Sequence, residues 1–86
     1  MIQKIKAPIS VITAFNHKKL VTWPVIIKWE SKDYKVKKVG LHHTYKKGNT
    51  LYHIYSVTSE NIFFKIILNT TNLQWELEEV SDGICD

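Results

Sequence analysis

The chain contains no arginine. All twelve of its basic residues are lysine, so the planar fork that clamps phosphate bidentately or reads a guanine edge is missing. Nucleic acid bound by such a chain would be read with little sequence preference. A single cysteine, Cys85, stands in a polar tail, which excludes a disulfide framework and a cysteine metal cluster. Three scattered glycines cannot build a phosphate-cradling loop, and none of Ser10, Ser31, Ser56 and Ser59 sits in a nucleophile-elbow pattern. No apolar run approaches the roughly 20 residues that span a bilayer, and Gln3, Lys4, Lys6 and Pro8 break up the first isoleucines, leaving no signal-peptide core. Together these absences predict a cytoplasmic, non-catalytic protein without a cofactor and without a membrane partner.

At 86 residues the chain is long enough for one domain with a modest core. Frequent isoleucine and asparagine beside the lysines are what an A/T-rich coding bias produces, so the place of the charge says more than its sum. Five of the eight acids lie in the last eleven residues, and residues 1–75 carry twelve lysines against three acids, a net +9. A body of that charge attracts polyanions, and the attraction fades with salt.

The rhythm from Val25 to Val80 is a period of two interrupted by turns, which predicts an all-β fold. Its expected form is a single antiparallel meander of five to six strands, in a strongly bent sheet or small partly open barrel. Residues 1–8 read as a lead-in, 9–80 as the β domain and 81–86 as a polar tail. Within the lead-out from Pro8, Ile9 to Phe15 alternates as a strand, while Pro24 keeps Leu20 to Trp23 out of a central position.

Each later turn is registered by placing apolar residues opposite one another. A turn at 30–33 sets Trp29 against Tyr34 and Ile27 against Val36. A bulge at Lys37 and Lys38 then brings Val39 and Leu41 inward. The turn around Gly48 pairs Tyr45 with Leu51, His43 with His53, Leu41 with Tyr55 and Val39 with Val57. A turn at Ser59 and Glu60 pairs Val57 with Ile62 and Tyr55 with Phe64, and a turn at 69–72 pairs Ile66 with Trp75 and Phe64 with Leu77. All four turns place Trp29, Tyr34, Val36, Val39, Tyr55, Phe64 and Trp75 on one inward face.

Trp29, Tyr34, Val36 and Val39, then Tyr55 and Val57, then Trp75, Leu77 and Val80 resemble the pattern of a small bacterial all-β domain family of unassigned function. Some members of that family are found with Y-family DNA-polymerase-like proteins. The resemblance covers roughly residues 9–80, and it implies a DNA-repair neighbourhood rather than an activity. The chain departs from the pattern at Ser31-Lys32, where Gly-Arg is expected, and at His43, where a tryptophan is expected.

The opposite alternation defines an outer face. Lys28 is expected directly opposite Lys35, beside Lys37, with Lys65 and His42 nearby and with Tyr52, Ile54, Phe63 and Ile67 as an aromatic and aliphatic centre. Aromatics beside lysines are how single-strand binders stack bases and track phosphates. Lys28, Lys35, Lys37, Tyr52, Phe63, Lys65 and His42 are therefore the candidate contacts for single-stranded or non-specific nucleic acid. A protein partner, or a homodimer using the same face, is the alternative, and burial of that face under Ile9 to Phe15 is the plain structural explanation. No carboxylate or thiol converges on His42, His43 and His53, so no metal is expected there. Glu76, Glu78 and Glu79 read as a solvated edge stripe.

Overall fold

The computed structural model describes residues 2–81. Seven strands follow one another: β1 (Ile2–Asn16), β2 (Val21–Trp29), β3 (Lys32–Lys35), β4 (Lys38–Lys47), β5 (Thr50–Ser59), β6 (Ile62–Asn69) and β7 (Gln74–Ser81). They form one antiparallel sheet in the order β3-β2-β1-β7-β6-β5-β4, strongly curled as a half-barrel. The expected all-β meander is thus present, with seven strands rather than five to six. The difference arises at the ends. The lead-in is itself strand from Ile2, and one long strand is bent at Val36 and Lys37 into β3 and β4.

That bend nearly closes the sheet on itself. The Val36 amide donates to the Val25 carbonyl of β2, and the next amide, Lys37, donates to the Thr58 carbonyl of β5, each at 2.8 Å. β1 is divided in the same way. Its first half pairs with β7, from Ile2 opposite Ser81 to Ile9 opposite Trp75, and its second half pairs with β2. β1 is therefore a wall strand and does not cover the outer face. Pro24 is accommodated where the β1–β2 register shifts, opposite Thr13, on a part of β2 that extends past β3. A proline lacking its ladder donor is tolerated on such an edge.

The expected inward face is the observed core. Ile27, Tyr55, Val57, Phe64, Ile66 and Leu77 are buried, with Trp29, Tyr34, Val36, Val39, Trp75 and Val80 packed against them. Phe64 links the two walls, its ring 6.4 Å from Trp29 and 5.0 Å from Tyr34. The registers differ from expectation in a systematic way. Trp29 faces Lys32, Val57 faces Phe64, and Ile66 faces Leu77. Each of these pairings is displaced by two residues, a step that keeps every side chain on its face.

At the β2–β3 connection the cause is turn chemistry. Glu30 and Ser31 both take positive φ, 51° and 64°, and so make a tight two-residue connection of the kind normally signalled by Asn-Gly. With the tight turn, Lys28 stands opposite Asp33, and Lys35 stands opposite Ile26. The expected Lys28–Lys35 pair does not form.

The β4–β5 ladder departs by one residue, and that changes faces. Val39 pairs with Val57 as expected, but the register shifts at Gly40, so that Leu41 meets Ser56, His42 meets Tyr55 and Tyr45 meets Tyr52. The bulge is at Gly40, not at Lys37 and Lys38. Leu41 and Tyr45 consequently point outward, 56% and 41% exposed, while His42 joins Tyr55 on the concave side. The Cys85 tail lies outside the described residues.

Candidate functional site

Tyr55 is the hub of the half-barrel's open end. Its hydroxyl donates to the Thr22 carbonyl at 3.0 Å, tying β5 to the free margin of β2. Its ring lies face to face with His42, with centroids 4.3 Å apart and planes within 2°. On another side stands Trp75, 5.7 Å away and tilted by 37°. His53 completes the group: its Nδ1 lies 2.8 Å from His42 Nε2, and the two imidazoles are nearly parallel at 5.0 Å. Three strands supply the group, and the Gly40 bulge brings His42 into it.

An imidazole–imidazole hydrogen bond needs one nitrogen as donor and the other as acceptor, so it cannot survive protonation of both rings. Burial holds the His42 pKa below its ordinary value of 6.5, and the neighbouring His53 and His43 lower it further. Burial also raises the Tyr55 hydroxyl pKa above its ordinary value. The His42 imidazole and the Tyr55 phenol are thus uncharged at neutral pH, and His42 remains exposed. What the arrangement offers is a set of near-parallel aromatic planes at a concave opening.

Lysines flank this opening. By strand alternation Lys46 lies on the face of His42 and Thr44, next to Lys47 at the β4–β5 turn. Across the mouth the β1–β2 turn carries Lys18 and Lys19, whose amides donate to Asn16 Oδ1 at 2.9 and 3.1 Å. None of these four lysines has an ion-pair partner among the described residues.

The residues expected to share an outer face are dispersed. Trp29 and Phe64 meet inside the barrel, so their neighbours Lys28 and Phe63 emerge on opposite outsides. Three of the four candidate lysines are engaged. Lys28 lies 3.6 Å from Asp33, Lys37 lies 3.3 Å from Glu60, and Lys65 lies 3.4 and 3.8 Å from Glu78 and Glu79. Lys35 has no such partner among the described residues. Tyr52 stacks on Tyr45 at 4.9 Å, and Phe63, 40% exposed, borders a groove of about 310 Å³ whose lining includes Ile2, Gly40, Ser56, Lys65 and Glu79. Ile54 and Ile67 are 6% and 9% exposed, on an outer face flanked by the tyrosine stack and by Lys65 with its carboxylates. Glu78 and Glu79 are half-buried partners of a lysine rather than a solvated stripe.

Sequence reasoning placed His42 outside and His43 against His53. A glycine in mid-strand is a recognised signal for a bulge, and reading Gly40 that way would have turned His42 inward. No group of three or more His, Cys, Asp or Glu capable of holding a metal occurs among the described residues. No described helix is long and apolar enough to cross a membrane. Comparison with family models, curated proteins and solved structures finds no match to this chain.

Proposed function

We propose that this chain is a non-catalytic cytoplasmic module that binds single-stranded nucleic acid weakly and with little sequence selectivity, at the mouth of the half-barrel. The observation that carries this reading is the stack of His42 on Tyr55, with Trp75 and His53 beside it, together with Lys18 and Lys19 in the β1–β2 turn and Lys46 and Lys47 at the end of β4. Base–aromatic stacking tolerates any base, and lysines contact phosphate as point charges. The resemblance to domains associated with DNA-polymerase-like proteins points to DNA repair as the setting. The outer-face lysines are set aside in this reading, because ion pairs already occupy Lys28, Lys37 and Lys65.

The test is a fluorescence anisotropy titration with a labelled single-stranded oligonucleotide at low and at physiological salt. Binding is expected at low salt and is expected to weaken about tenfold or more as salt rises, in line with release of counterions from several phosphate contacts. Lys18→Glu with Lys46→Glu should abolish it, whereas Lys65→Gln should leave it intact. No binding at low salt, or binding indifferent to salt, would sink the reading.

The outer groove favours a second reading, a protein-interaction module. Phe63 and Ile2, 40% and 64% exposed, border a concavity lined by both Lys65 and Glu79, and a partner or a second copy would cover them. A concentration-dependent association lost on Phe63→Glu, measured by sedimentation, would support this reading over the first.

A further inference from the structure

β4 is the terminal strand of the sheet and pairs only with β5. Along its ten residues, no described strand uses its other edge. The opposite terminal strand, β3, is four residues long and runs directly into β4 through Val36 and Lys37. Among the described residues the outer edge of β4 is therefore a ten-residue row of unpaired backbone donors and acceptors. Native sheets normally guard such an edge with charge, proline or a bulge. Here Lys38, Lys46 and Lys47 guard the two ends and Gly40 bulges near one of them, while the middle, from Leu41 to Tyr45, carries no lysine or carboxylate and exposes two large apolar side chains.

The charge pattern selects what can add to this edge. If a second copy added antiparallel about the centre of β4, Lys38 would oppose Lys47 at both ends of the joint. Directly opposed like charges are unfavourable. β4 contains no acid to relieve them. A strand that fits must bring carboxylates at its ends and β-branched residues between them, to lie beside Leu41 and Tyr45.

We propose that the free edge of β4 is a β-augmentation site for an extended acidic segment of another protein, which adds as a further strand. Main-chain hydrogen bonds would supply the affinity and the terminal lysines the selectivity. The site is the edge of the sheet and does not depend on base stacking in the mouth.

The experiment uses the full chain and a synthetic peptide, Asp-Glu-Val-Thr-Val-Thr-Glu-Asp, with two further versions N-methylated at alternate residues in each of the two frames. Successive amides of a strand point to opposite edges, so one methylated frame should abolish binding and the other should leave it. Hydrogen exchange should show new protection in residues 38–47, and Lys46→Glu with Lys47→Glu should weaken binding about tenfold. Equal binding by both methylated frames would overturn the proposal by showing simple charge attraction. Protection confined to residues outside β4, or no binding at low salt, would overturn it equally.

Discussion

Strands β4 and β5 present two faces that use their polar groups differently. On the concave side His42 is bonded to His53 and Tyr55 donates to the Thr22 carbonyl, leaving flat ring surfaces at the opening and unpaired lysines around it. On the convex side Lys65 pairs with Glu78 and Glu79, and large apolar surfaces lie exposed: Leu41, Tyr45 on Tyr52, and Phe63 above its groove. The chain's positive charge is thus not spread evenly. Among the described residues Lys28, Lys37 and Lys65 are ion-paired, whereas Lys18, Lys19, Lys46 and Lys47 are not.

The sharpest way to break the comparison is to remove what both faces share. Phe64→Ala empties the contact between Trp29, Tyr34 and the β6 wall, and should cost about 3–5 kcal/mol, read as a lower urea midpoint with both faces lost together. A variant that kept the midpoint would show that the two walls hold separately. Tyr55→Phe acts on the concave side alone. Deleting the bond to the Thr22 carbonyl should cost about 0.5–1.5 kcal/mol, and hydrogen exchange should accelerate in 21–24 but not along the convex groove.

The smallest effect should be a pH dependence confined to the concave side. Because the folded chain holds the His42 pKa down, the unfolded chain binds a proton there more readily. The stabilising contribution is present above pH 6.5 and is lost as pH falls through the lowered folded value. The denaturation midpoint should therefore decline over that window, and less so in His42→Gln. Identical profiles for the two proteins would remove His42 as the cause.

Core membership was legible in the residues themselves. Trp29, Tyr34, Tyr55, Phe64 and Trp75 were assigned inward from alternation, and they remain inward although the β2–β3 turn is two residues shorter than expected and the β5–β6 and β6–β7 turns lie one residue further along, because a shift of two in pairing preserves faces. Turn geometry was not legible at Glu30 and Ser31, since neither residue advertises positive φ. The candidate site was half visible: its histidines and tyrosine drew notice, but one bulged glycine decided which of His42 and His43 would meet Tyr55. The least legible element was β1. Its alternation says strand, yet nothing local in Ile9 to Phe15 says that the strand divides its pairing between β7 and β2, because both partners are distant or ambiguous until the sheet curls.

That division of β1 sets the order in which the molecule can assemble. Ile2 pairs with Ser81, so the first described strand finds its neighbour in the last, and the ring of strands stays open until nearly all of the described chain is available. Local hairpins from β4 to β7 can zip early, whereas the β1–β7 seam must wait for a loop of almost the whole described length to close. Such long-range closure is the slow step in β topologies. During that wait Ile2, Ile5 and Ile9, in the half of β1 that pairs with β7, lack their strand partner and are open to misassembly.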